Sequence, residues 1–176
     1  MNGNYFSNEH KLADEYETPS WLFDILNEKF KFEVDLACDS KNCKIPGSPL
    51  FDKGFNALEE SWSQWKGMKY VFPPFSKPFF NQYLLKAHDE WRKGHSSVVM
   101  APIKTISVNY FQPIKSPIIY IIYPRIRFYF NGRENHAAES VCLLVYTADK
   151  KENISPNIYF TDLKRYAPAS YYRSHE

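Results

Sequence analysis

Apolar residues recur at helical spacing from Trp21 through Leu22, Ile25 and Leu26 to Phe30, directly after Thr18-Pro19. Thr18 stands where an N-cap belongs and Pro19 suits a first helical turn, so the spacing predicts an amphipathic helix starting there. The period then changes. Phe32 to Cys38 reads as a strand that runs into Asp39-Ser40-Lys41-Asn42, a series of turn formers. Residues 43–66 carry Pro46, Gly47, Pro49 and Gly54 and read mostly as loop, with one short helix expected through Leu58 to Trp65. Met68 to Phe72 reads as a second strand, cut off by Pro73-Pro74, which remove two backbone donors from any ladder. Phe79, Phe80, Tyr83, Leu84, Ala87 and Trp91 then share one side of a helix from about Pro78 to Lys93, with Gly94 as its stop.

Ser97 to Ala101, Ile118 to Tyr123 and Ser140 to Tyr146 are further strand candidates, with a weaker one at Arg127 to Phe130 and a short helix at Val108 to Phe111. Strands alternating with helical segments predict an α/β fold: a mostly parallel sheet, helices on both faces and an antiparallel hairpin at one edge. In such sheets ligands gather at the carboxyl ends of strands, here Asp35 to Asp39 and Phe72 to Ser76. Residues 1–15 are polar and aperiodic and read as a flexible N-terminal arm, leaving 16–176 as a single domain.

Composition narrows the partners. A net charge of +2 from 22 basic and 20 acidic side chains gives no whole-molecule field for a polyanion, so any nucleic-acid surface must be local. Arg125, Arg127 and Arg133 are one candidate, and Lys150, Lys151, Lys164 and Arg165 another; ordinary solvated faces carry the same patterns. Cys38, Cys43 and Cys142 form no Cys-x-x-Cys pair and the five histidines are scattered, so reduced thiols and no metal are expected. The start of the chain lacks the pattern of a secretion signal, and the longest apolar run, Ile118 to Tyr123, is too short to span a bilayer. A cytoplasmic protein without membrane association is the expectation.

The chemistry concentrates at Phe72-Pro73-Pro74-Phe75, between a strand and a helix. Two prolines stiffen the backbone so that a carbonyl can be aimed at a ligand amine, and the aromatic that follows can stack on a base flipped out of its duplex. The same tetrapeptide also serves as a plain loop plug with Phe75 in the core. Asp35, at the end of the first strand, can accept from ligand hydroxyls or an ammonium group, or simply cap a turn. A Gly-x-Gly-x-x-Gly dinucleotide fingerprint is missing from the sequence. Lys104, after a strand end, faces a substrate or caps a helix.

Several segments, in order, resemble the phage-type, Dam-like DNA adenine-N6 methyltransferases. These are Asp14-Glu15-Tyr16-Glu17-Thr18-Pro19, Leu22-Phe23-Asp24 with Leu26, Phe32 to Ala37, Asn42 with Lys44, and Leu58 with Trp62. The Pro-Pro aromatic motif follows, then Val98 to Lys104 and Arg125-Ile126-Arg127-Phe128, covering about residues 14–146. The resemblance implies a Rossmann-like methyltransferase fold that binds S-adenosylmethionine through Thr18, Pro19, Asp35, Ala37 and the Asn56 loop. It also implies that Phe72, Pro73, Pro74 and Phe75 hold the target adenine. Double-stranded DNA would be met by Lys104, Arg125, Arg127 and Arg133, in the host cytoplasm if the chain is phage-encoded. Two positions depart from the family. Phe72 replaces the motif's Asn or Asp, whose oxygen accepts from the exocyclic amine, and Asn56-Ala57-Leu58 replaces Asp-Gly-Leu. The first departure implies weakened or lost methyl transfer. Two alternatives follow: an inactive methyltransferase-fold protein that binds DNA or a host defence protein, and a related enzyme that modifies another base.

Overall fold

The computed structural model describes residues 16–114, 116, 118–130, 133–136, 140–149 and 156–168. The expected arm (1–15), Asn131, Gly132, Lys150 and Lys151 lie outside these residues, and at Arg133 only the backbone is described.

The first helix, α1, spans Ser20–Phe30 and is followed by strand β1 (Phe32–Asp35) and β2 (Met68–Val71). Helix α2 (Phe79–Arg92) leads to β3 (Ser97–Pro102), and β4 (Ile118–Tyr123), β5 (Arg127–Phe130), β6 (Arg133–His136), β7 (Val141–Tyr146) and β8 (Asn157–Asp162) complete the order. Six strands form one sheet in the order β1-β2-β3-β7-β4-β8. β1, β2 and β3 are parallel, β7 runs against both β3 and β4, and β8 is parallel to β4. All but β7 therefore point the same way, as an α/β methyltransferase-like fold requires. The antiparallel pairing differs in place from the expected edge hairpin. β7 sits inside the sheet, and β5 and β6 pair with each other in a separate two-stranded sheet.

Strict alternation along the central strands explains the two cores. Val98, Met100, Leu143 and Val145 face one side of the sheet with Leu22, Phe23 and Leu26 of α1. Val99, Ala101, Cys142 and Leu144 face the other with Phe80, Leu84, Ala87 and Trp91 of α2. Both faces of β3 and β7 are thus apolar, which is why these strands read as continuous hydrophobic runs. Each fully buried Leu or Val contributes about 1.5–3 kcal/mol relative to exposure.

Local chemistry moved several boundaries. Thr18 does not cap α1: Pro19 occupies the cap position, and its carbonyl accepts from Leu22 and Phe23. The Thr18 hydroxyl is engaged elsewhere, 2.6 Å from the Tyr70 hydroxyl. β1 ends at Asp35 rather than Cys38 because the Asp35 carboxylate accepts the Ala37 N–H (3.2 Å) and starts a turn. The helix expected over Leu58–Trp65 is absent, and only a 3-10 turn at Trp62–Gln64 forms. Asn56 accepts from the Leu58 N–H and Ser61 from that of Ser63, so side chains take the donors that a helix would use. Gly94 ends α2 as expected, with φ +91° that a side chain would resist.

At the amino-terminal side of β3, Glu90 of α2 is fully enclosed and ionised. His95 Nδ1 lies 2.7 Å away, Lys93 and Lys86 ammonium groups 3.0 and 3.1 Å, and the Trp62 N–H donates at 3.3 Å. Burial pushes the Glu90 carboxyl up, but hydrogen bonds from Lys93, His95 and Lys86 outweigh it and hold the group at about 2.

Candidate functional site

β1 and β2 are neighbours in parallel register, with Asp35 opposite Tyr70, so the expected ligand-gathering strand ends fall side by side. A cleft of about 220 Å3 opens there. Asp35, Ala37, Tyr70 and Phe72 line it from the strand ends, Tyr16, Glu17 and Thr18 from the segment before α1, and Asn42 and Lys44 from the loop after β1.

Each wall has a local cause. Asp39 Oδ1 accepts from the Lys41 and Asn42 N–H groups at 2.8 and 3.1 Å, and Asn42 Oδ1 accepts from the Asp39 N–H at 2.8 Å. This reciprocal turn folds the loop back so that the Lys44 N–H reaches Asp35 Oδ2 at 3.3 Å. The Lys44 ammonium lies 3.7 Å from Glu17 and ties the two walls together. Asp35 is buried, and burial pushes its carboxyl up to about 6 while the Ala37 and Lys44 N–H groups and the Lys44 charge pull it back. Burial also raises the Tyr70 phenol, against the opposing Thr18 hydrogen bond. Each Asp35 carboxylate oxygen already accepts one N–H, and a carboxylate oxygen can accept a second.

Of the residues expected at a cofactor pocket, Thr18, Asp35 and Ala37 meet in this cleft, with Pro19 next to Thr18 at the start of α1. Asn56 does not line it; its amide donates to Glu59 at 2.8 Å within its own turn. Phe72 lines the cleft. Its ring packs 5.1 Å from Phe128 and 5.5 Å from Phe75, and Phe75 continues to Phe80 at 5.6 Å. Phe75 is half-buried behind Phe72, packed against both cores, while Pro73 is buried and Pro74 half-buried.

Phe128 belongs to β5, so the β5–β6 hairpin docks on the cleft through this aromatic contact. A backbone bridge reinforces it: the Glu17 N–H donates to the Tyr129 carbonyl at 2.8 Å and the Tyr129 N–H to the Glu17 carbonyl at 3.0 Å. Arg125 is exposed just before β5, Arg127 half-buried within it, and the Arg133 backbone pairs with Phe130 across the hairpin. Lys104 is exposed after β3. Sequence reasoning missed Tyr70 and Tyr16 as cleft residues and Phe128 as the partner of Phe72. Alternation in β2 places Tyr70 opposite to Val71, but its hydroxyl partner lies 52 residues away and leaves no local signal.

Among the described residues no helix is long and apolar enough to cross a membrane. A search of curated proteins finds no match to the chain. A family model described as DNA N-6-adenine-methyltransferase (Dam) matches residues 7–162, a span that holds every strand and helix described above. With its α/β sheet and a cleft at the carboxyl ends of β1 and β2, the chain belongs to the DNA N-6-adenine-methyltransferase (Dam) family.

Proposed function

We propose that the protein is an S-adenosylmethionine-dependent DNA adenine-N6 methyltransferase of phage type, weakened by Phe72. The observation that carries the cofactor assignment is Asp35, a buried carboxylate in a cleft that Tyr16, Tyr70 and Phe72 also line. That set suits a ligand with a cationic amino-acid end, ribose hydroxyls and a flat base. Asp35 accepts from the hydroxyls or the ammonium, Ala37 and Thr18 shape the wall beside it, and Pro19 sets the backbone at the start of α1. S-Adenosylmethionine, when bound, supplies an electrophilic methyl group.

The chain's own residues orient the acceptor amine and exclude water. The Pro73 carbonyl accepts one amine proton, Phe72, backed by Phe75, offers aromatic surface to the extruded adenine, and the docked hairpin closes the site over Phe128. Arg125, Arg127 and Lys104 contact the DNA backbone. Phe72 offers no side-chain acceptor, so the amine lone pair is less firmly aimed at the methyl group. The same observation favours a second reading, in which methylation is lost and the protein acts by binding DNA or a host defence protein.

The test is calorimetric titration with S-adenosylmethionine and its demethylated product, followed by labelled methyl transfer to unmodified DNA. Binding with slow transfer to adenine N6 is expected. Binding of neither ligand removes the cofactor assignment, and transfer to another base removes the adenine one.

A further inference from the structure

The wall of the cleft holds a second set of donors. A carboxylate oxygen of Asp35 and the Sγ atoms of Cys38 and Cys43 all lie within 4.8 Å of one another. Their sequence spacing does not advertise this. Asp35 closes β1, the turn after it places Cys38 beneath the carboxylate, and the reciprocal Asp39–Asn42 turn folds Cys43 back beside both. All three cysteines are free thiols.

We propose that Asp35, Cys38 and Cys43 form a binding site for one soft divalent cation of the zinc class. Thiolate and carboxylate are both ligands for such an ion, and three protein ligands leave a fourth position for water. Tetrahedral coordination needs ligand atoms about 3.5–3.8 Å apart, which small side-chain rotations reach from the observed spacing. The hydrogen bonds that the thiols give up are weak ones. Cys38 donates to the Asp35 carbonyl at 3.5 Å and Cys43 to the Ile45 carbonyl at 3.2 Å, both weak S–H contacts. Each thiol releases its proton to solvent as the metal–sulfur bond forms. The resulting site carries one net negative charge, and Lys44, whose N–H already holds Asp35, is the adjacent cation. An ion held there takes the Asp35 carboxylate away from any other ligand of the cleft. The inference goes beyond the methyl-transfer reading and does not depend on it.

The test is titration of the reduced full-length chain with cadmium ion alone, following the ultraviolet sulfur-to-metal charge-transfer band. One equivalent with a two-thiolate band is expected. Cys43→Ala, a partly exposed position, is expected to lower the band by about half and weaken binding at least about tenfold, with the far-ultraviolet dichroism of the wild type retained. Asp35→Asn is expected to weaken binding while the full band remains at saturation. A wild type without the band, or a band of full intensity in Cys43→Ala, overturns the proposal. Neither result bears on cofactor binding or methyl transfer, which are measured separately.

Discussion

Replacing Phe72 with asparagine removes a ring from the cleft and puts there the carboxamide oxygen that the motif resemblance implies. Two consequences follow in opposite directions. The lost ring contacts to Phe128 and Phe75, at 5.1 and 5.5 Å, are worth about 0.5–1.5 kcal/mol each beyond area burial. A fully buried phenylalanine truncation costs about 3–5 kcal/mol, and Phe72 is half-buried, so a loss of about 2 kcal/mol is expected. For a chain of this size that lowers Tm by about 4–8 °C. The hairpin, docked on Phe72 through Phe128, should loosen first. Against this, one well-placed acceptor in a water-poor site is worth about 2.7–4 kcal/mol of transition-state stabilisation, or about 10²–10³ in rate. The assay is labelled methyl transfer to adenine-containing DNA, run well below both melting temperatures, with Phe72→Leu as the control that keeps apolar packing without an acceptor. Phe72→Asn should be faster than wild type, and Phe72→Leu should match wild type. A wild type as fast as Phe72→Asn would refute the claim that Phe72 is a handicap.

Asp35→Ala removes the buried acceptor of the cleft, and its charge-assisted hydrogen bonds, about 1.5–3 kcal/mol, predict S-adenosylmethionine binding about 10–100-fold weaker by calorimetry; unchanged affinity would exclude Asp35 as a contact. Glu90→Gln should destabilise the fold at pH 7 by up to about 3 kcal/mol, because the carboxyl drops from an ordinary 4.5 to about 2 on folding at about 1.4 kcal/mol per pH unit. Since the folded value is depressed, this stability is fully present above about 4.5 and fades as pH falls toward 2, so urea unfolding of wild type and variant should converge across that range; a pH-independent gap would mean that packing, not charge, is lost. Arg125→Ala and Arg127→Ala should each weaken DNA binding and reduce the slope of log affinity against log salt by about 1, and an unaltered slope would place them away from the phosphates.

The elements and their order were legible from one dimension because hydrophobic periodicity is a local property. Trp21 to Phe30, Phe79 to Trp91 and the apolar runs at Val98, Ile118 and Val141 declare helix and strand without reference to anything distant. The likeness of ordered motifs identified the family for the same reason, while the adjacency of the strand ends at Asp35 and Val71 came only from the sheet order. What sequence periodicity does not carry is competition between distant partners. Thr18 looked like a helix cap until the fold supplied Tyr70, whose hydroxyl buries the same oxygen at 2.6 Å. The antiparallel strand looked like an edge because strand order depends on which neighbours best cover two apolar faces, and β7, apolar on both, is covered only inside the sheet. Phe72 read as a missing polar group, and only the docked hairpin shows that its ring also has a packing role against Phe128. Cys38 and Cys43, five residues apart and unremarkable in sequence, become neighbours of Asp35 because a short hydrogen-bonded turn reverses the chain between them.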